Sequence, residues 1–258
     1  MPTIHFKGRI LPDHEKITTP PLPSVDWRES TTGPLFNFAI SINLSMVDVT
    51  CTLEKYDPAD NISTALIRAI EFSRGVLDCL CFAHGLGLSL ILEEVVEPDG
   101  RVKPLIFKNS RLAPLCTAFN LTPNYIGKDD FAAMYAMVIT EPPLFLALNE
   151  LIVAISIPGH ITVNCGRAIE SLRTILVPND PTRAKAWAEM RKVLRLERSY
   201  LDFIIEASAN PRHGDKSYLE QETAQEILER SWVIMNRFLE FRKKGSVGLP
   251  ADEFSILS

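Results

Sequence analysis

The first hundred residues alternate between apolar and polar side chains with a period of two, the pattern of a strand with one buried face. Residues 18–33, between the first two of these segments, are Pro-rich and polar and predict a loop. A helical stripe of apolar residues, from residue 61 or 63 to about residue 82, divides the alternating segments into two groups. The predicted strands are residues 3–11, 35–43, 47–55, 86–96 and 102–107.

After residue 120 the apolar residues recur with helical spacing, and strand patterns end. Predicted helices cover residues 131–138, 144–157, 161–176, 182–196 and 197–207, and a last long helix ends at Lys244. Ser217 and Glu220 have the spacing of a capping box at the start of that last helix. The prediction is an α+β protein: an antiparallel sheet with one packed helix (residues 1–120), an all-α helical bundle (121–245) and a tail (246–258).

Composition narrows the class of protein. Of 258 residues, 46% are hydrophobic and 23% are charged, which excludes wholesale disorder. The net charge of -5 argues against a generally basic nucleic-acid binder. Residues 1–159 have a net charge of -6 and residues 160–244 of +3, as expected for two domains with different surfaces.

The distribution of cysteines and apolar residues predicts a cytoplasmic protein. Five scattered cysteines fit reduced thiols, and Cys79-Leu80-Cys81 lacks the spacing of a metal site, so no metal or cofactor is expected. The first residues contain no apolar signal-peptide core. The most apolar run, residues 144–157, is too short to cross a bilayer, so no membrane contact is expected.

A polar elbow between the last two helices is the first candidate for chemistry. Asn210 and Pro211 are predicted to end the preceding helix, because a residue before proline is disfavoured in the α conformation. In the functional interpretation Arg212 binds a phosphate or carboxylate, His213 transfers a proton and Asp215 orients the imidazole. In the structural interpretation the same three side chains stabilise the turn and pack between helices.

A helical bundle with an Arg-His-Gly elbow between its last two long helices resembles the HEPN superfamily, over residues 144–244. Active members of that superfamily are metal-independent ribonucleases, usually homodimers, that use an Arg and a His four to six positions later. Arg212 and His213 are adjacent, which departs from that spacing. The resemblance therefore implies a non-catalytic binding or assembly module, homodimeric through its C-terminal helices, in a bacterial nucleic-acid or defence context.

Two other functions stay open as alternatives. One is a metal-independent ribonuclease in which His213 acts as general base or acid and Arg212 stabilises charge on the phosphorane. The other is a sensor whose N-terminal sheet domain binds a small ligand.

A second candidate site is a set of arginines before the elbow. Arg191, Arg195 and Arg198 are spaced four and three apart, so a continuous helix would place them on one face. Such a face is predicted to bind RNA, a nucleotide or an acidic partner. The alternative is a solvated helix face that nearby carboxylates neutralise.

Overall fold

The computed structural model describes residues 1–12, 16–28, 33–105, 109–119, 130–178, 183–212 and 220–258, with the backbone alone at residues 58–60, 158, 210 and 212. Contacts divide the chain into two compact units, Met1–Phe107 and Lys108–Ser258. The first unit holds the sheet and the second holds the bundle, which confirms the predicted α+β class.

The N-terminal unit is one antiparallel sheet of six strands in the order β2-β3-β4-β1-β5-β6. Five of them lie where the alternating pattern predicted strands. The sixth, β2, falls in the predicted loop and pairs with the first half of β3 at the edge of the sheet. The strands are β1 (Thr3–Leu11), β2 (Val25–Arg28), β3 (Leu35–Asn43), β4 (Met46–Leu53), β5 (Ser89–Val96) and β6 (Val102–Pro104).

One face of this sheet is covered by the helix α1 (Pro58–His84). The alternate residues Ile4, Phe6 and Ile10 of β1 are fully buried, as the period of two requires. Gly8 lies at the bulge between β1 and β5, and a Cβ there would collide with the backbone of β5 at Ile91 and Leu92. Glycine is therefore the residue that lets these two strands approach.

The C-terminal unit consists of six α-helices among its described residues. The central helix α4 contacts α3, α6 and α7 and buries a continuous stripe that includes Cys165, Ala168, Ile169 and Leu172. The helices are α2 (Phe131–Thr140), α3 (Pro142–Ser156), α4 (Ile161–Leu176), α5 (Ala184–Leu194), α6 (Arg198–Arg212) and α7 (Gln221–Lys243).

Residues 109–119 are attached to α7 of the helical unit rather than to the sheet. The Asn236 side-chain oxygen accepts hydrogen bonds from the backbone N–H groups of Thr117 and Ala118 at 2.8 and 2.9 Å. The contacts accordingly change units at residue 108, earlier in the chain than the boundary at residue 120 that the end of the strand pattern suggested.

Two helix ends differ from the prediction. Helix α6 continues through Pro211 to Arg212, so the proline lies inside its last turn instead of ending it. Proline only disfavours the helical conformation of the residue before it. In the last turn of a helix, few further backbone hydrogen bonds are lost by a proline. Helix α7 begins at Gln221 with Glu220 as N-cap, and no side chain caps it there. Ser217 of the predicted capping box lies outside the described residues.

Residues 246–258, predicted as a tail, pack on the helical unit. Leu249 is buried, and its N–H donates to the Val193 carbonyl at 2.9 Å. Leu257 forms a parallel bridge with Leu196, in the break between α5 and α6. This segment thus supplies backbone partners for the residues that end α5.

Candidate functional site

The predicted catalytic elbow is largely beyond what the structure describes. His213 and Asp215 lie outside the described residues, and Arg212 is described only as the last backbone position of α6. Both interpretations of the elbow, the catalytic and the structural, stay predictions.

The predicted arginine face lacks the continuous helix on which it was based. Helix α5 ends at Leu194, and Arg195 has the left-handed conformation, with φ 56° and ψ 58°. That turn rotates the chain before α6 begins, so Arg191, Arg195 and Arg198 do not follow one helical face. The expectation of a shared face was wrong, because the spacing carried no sign of the break.

The side chains of two of these arginines, Arg195 and Arg198, are also engaged within the unit. The Arg195 Nε donates to the Phe254 carbonyl at 2.6 Å and helps to hold the C-terminal segment. The Arg198 Nε donates to the Asp202 carboxylate at 2.9 Å on an exposed helix face. Binding of an anion or nucleic acid at Arg191, Arg195 and Arg198 stays a prediction.

Helix α2 presents an unusual surface for the helical unit. Its sequence, FAAMYAMVIT, has no charged residue, yet Val138 is its single buried residue. Phe131, Tyr135 and Ile139 follow one another at intervals of four along one side, each about half exposed. The rings of Phe131 and Tyr135 are nearly parallel, with centroids 6.0 Å apart. A helix that is apolar all round is normally covered on every side.

Helix α3 extends this surface across a bend of 112°. It buries one apolar side against the bundle, through Leu144, Ala147, Leu151 and Ala154. Its opposite side is apolar as well and is exposed to solvent. We call the combined surface the α2–α3 face; its six large side chains are 49–55% exposed, and they are Phe131, Tyr135, Ile139, Phe145, Leu146 and Ile152.

A groove of about 290 Å³ runs along the α2–α3 face between the two helices. Its polar groups are the Asn149 amide and the Tyr135 hydroxyl, while the rest of its lining is apolar. Among the residues that the structure describes, none hydrogen-bonds the side chain of Asn149. The groove therefore combines apolar walls with one amide that is available to a partner.

The charges nearest to the α2–α3 face are paired inside the unit. Glu150, the one charged residue of α2 and α3, lies 4.0 Å from Arg167. Glu141, between the two helices, lies 3.2 Å from Arg242, and both carboxylates are largely buried. Asp130, the N-cap residue of α2, is more exposed and lies 3.6 Å from Lys243. The face consequently carries no free charge, which distinguishes it from an ordinary solvated surface.

The described part of the chain lacks both a metal-binding cluster and a single helix that could span a membrane. It contains no group of three or more His, Cys, Asp or Glu side chains placed to hold a metal ion. It also contains no single helix with the length and apolar composition to cross a membrane. Helices α2 and α3 have that length and composition only when they are taken together, as a bent pair.

The α2–α3 face was not predicted from the sequence, although a signal for it is present. Residues 131–157 were assigned to helices, and a helix usually shows a polar side that marks its solvent face. From Phe131 to Asn149 the only charged residue is Glu141, so no polar side can be assigned. That missing polar side is the sequence signal from which an exposed apolar surface could have been predicted.

Both units match family models. Residues 4–106 match the N-terminal domain, and residues 131–243 the C-terminal domain, of a family described as a domain of unknown function, DUF8168. The second match spans the helices from the first residue of α2 to the last residue of α7. No curated protein and no solved structure matches the chain significantly.

Proposed function

We propose that this chain, which belongs to the DUF8168 family through both of its domains, is a non-catalytic binding and assembly module. Its C-terminal domain would bind a protein partner through the α2–α3 face. The observation that carries the proposal is the set of six half-exposed, large apolar side chains on a surface without free charge.

The area of this surface supports a role in binding. A large apolar side chain has roughly 200 Å² of surface, so six half-exposed ones present about 600 Å². The largest apolar patch of a typical soluble monomer has about 300–600 Å² and is often functional. Covering about 600 Å² is worth roughly 15 kcal/mol before the costs of association are subtracted.

The chemistry of the face favours binding over catalysis. Its described side chains include one amide and one phenol, and they include no carboxylate, imidazole or thiol that could transfer a proton or attack a substrate. Helices α2 and α3 also contain no Lys or Arg, which phosphate recognition would need. The ribonuclease using Arg212 and His213, the sensor and the nucleic-acid or defence context stay predictions.

A comparison of native assemblies tests this proposal. The tagged chain is expressed at its natural level, and its mass in the cell extract is measured by sedimentation. We expect a mass above that of one chain, and we expect a Tyr135→Arg, Ile139→Arg double variant to sediment as a single chain. Arginine at two exposed positions disrupts an apolar contact because it buries unpaired charge.

A matched control adds two arginines elsewhere. Val102→Arg, Val247→Arg changes two valines that are 59% and 68% exposed and lie outside the α2–α3 face. This variant should sediment like the unchanged chain. If the unchanged chain already sediments alone, or if the control loses the assembly as fully as the face variant does, the proposed function is wrong.

A further inference from the structure

We propose that the partner on the α2–α3 face is a second copy of this chain, docked about a two-fold axis that passes beside Asn149. This inference rests on the proposed function and names its partner. Three features of the face carry it: its lack of free charge, the chemistry of Asn149 and the area available.

The first feature is electrostatic. In a two-fold contact the same patch meets itself, so every unpaired charge near the axis would face a charge of the same sign. The carboxylates next to the face in the sequence are Asp130, Glu141 and Glu150. Each is paired within its own unit, with Lys243, Arg242 and Arg167 respectively. The face can therefore meet its copy without repulsion. It offers no charge that would select a basic or an acidic partner instead.

The second feature is the amide in the groove. An asparagine side chain both donates and accepts, so two Asn149 side chains across an axis can each donate to the other. The structure leaves this amide without a hydrogen-bond partner among the described residues, on a surface that is otherwise apolar. A single asparagine in an apolar helical interface is a known means of setting register and the number of chains.

The third feature is the area. Two copies of a face of about 600 Å² would bury roughly 1,200 Å², the lower limit for specific, stable protein interfaces. The exposed alanines of α2, Ala132, Ala133 and Ala136, leave room for a second helix to approach and add to that area. We therefore expect dimerisation that is measurable at micromolar concentrations.

A membrane surface is the main competing occupant, and the face lacks its usual chemistry. Helices that lie in a bilayer interface carry Lys and Arg beside their apolar side, for contact with anionic headgroups. Helices α2 and α3 contain neither residue. Protein is the better match to this surface.

The test is the mass of the purified full-length chain, measured by equilibrium sedimentation from 1 to 100 µM. We expect twice the mass of one chain at the upper end. Asn149→Asp and Asn149→Lys should each raise the dimer dissociation constant at least tenfold at pH 7.5, because each places like charges face to face. An equimolar mixture of the two variants should dimerise within about threefold of the unchanged chain, because opposite charges then meet.

Matched controls show whether the charge acts locally. Val247→Asp and Val247→Lys introduce the same charges at a position 68% exposed outside the face, and neither should alter dimerisation. Circular dichroism at a concentration where every chain is monomeric checks that the Asn149 variants unfold within about 2 °C of the unchanged chain, as expected for an exposed position.

The outcomes separate this inference from the proposed function. A purified chain that is monomeric at 100 µM, while assembly in the extract still depends on the face, would show a different protein partner; the second copy is then wrong and the proposed function stands. A dimer that neither Asn149 variant weakens would also overturn the inference. If the chain stays monomeric and binds phosphatidylcholine–phosphatidylglycerol vesicles through the face, both proposals are wrong.

Discussion

Replacing Arg237 should loosen the C-terminal segment from the helical unit. Arg237 belongs to α7 and is only 7% exposed. Its Nη1 donates to the carbonyls of Leu194 and Arg195, both at 2.9 Å, and its Nη2 donates to the Ser255 carbonyl at 2.7 Å. One guanidinium thus donates hydrogen bonds to the carbonyl groups at the end of α5 and holds the last residues of the chain in place.

The size of the effect follows from these three hydrogen bonds. Arg237→Met keeps most of the aliphatic length and removes every donor. Each hydrogen bond to a charged group contributes roughly 1.5–3 kcal/mol, and water can replace part of this once the segment loosens. We therefore expect a loss of about 3 kcal/mol in the free energy of unfolding. For a unit of about 150 residues, that corresponds to a fall of roughly 6–12 °C in Tm.

Differential scanning calorimetry of the full chain measures this shift, with Arg198→Met as the matched control. Arg198 has an 80% exposed side chain and pairs with Asp202 at 2.9 Å. An exposed ion pair contributes at most about 1 kcal/mol, or roughly 2–4 °C. Limited proteolysis should cleave Arg237→Met near residue 250 before it cleaves the control. Equal shifts for the two variants, or a shift below 2 °C for Arg237→Met, would refute the role assigned to Arg237.

Two further predictions concern glycines and thiols. Gly8→Ala should lower the free energy of unfolding, measured by urea denaturation, by about 3 kcal/mol, because the added Cβ would meet strand backbone. Gly75→Ala in α1 is the control: an added Cβ meets no atom within 4 Å there and should raise the free energy of unfolding by about 0.5–1 kcal/mol. The reverse order of the two variants would contradict the packing at the bulge. Burial raises the pKa of Cys165 to about 12, so at pH 8 roughly one in ten thousand of these thiols is ionised. Pulsed alkylation, followed by mass spectrometry, should therefore modify the exposed Cys116 long before Cys165. Equal rates in the folded chain would show that α4 is not packed as described.

Most of the fold could be predicted because periodicity reports burial directly. The alternation in β1 and the helical stripe of α4 both appear at the predicted residues, since in each case one side faces a core. Strand β2 was missed for the opposite reason. It is a short edge strand in which no side chain is fully buried, so its pattern does not separate it from a loop.

The arginine set shows what spacing leaves out. Whether Arg191, Arg195 and Arg198 share a face depends on the backbone at Arg195, and its left-handed conformation is held from far along the chain. The Leu257 N–H donates to the Arg195 carbonyl at 3.1 Å, and the Phe254 carbonyl accepts from the Arg195 side chain. Residues some sixty positions away thus contact the chain where this helix ends, and the spacing of the three arginines contains no information about them.

The α2–α3 face was not predicted from the sequence for a related reason. An apolar helix in a sequence can be covered by its own core or by another molecule, and the burial free energy per unit area is the same in both cases. The sequence therefore identifies that α2 needs a cover without identifying the cover. The structure adds that the bundle buries Val138 of α2 and partly buries Met134 and Met137. Phe131, Tyr135 and Ile139 of the same helix stay about half exposed. In the proposed dimer Asn149 is the polar side chain at the contact, so its exchange for Asp or Lys is the sharpest test of that assembly.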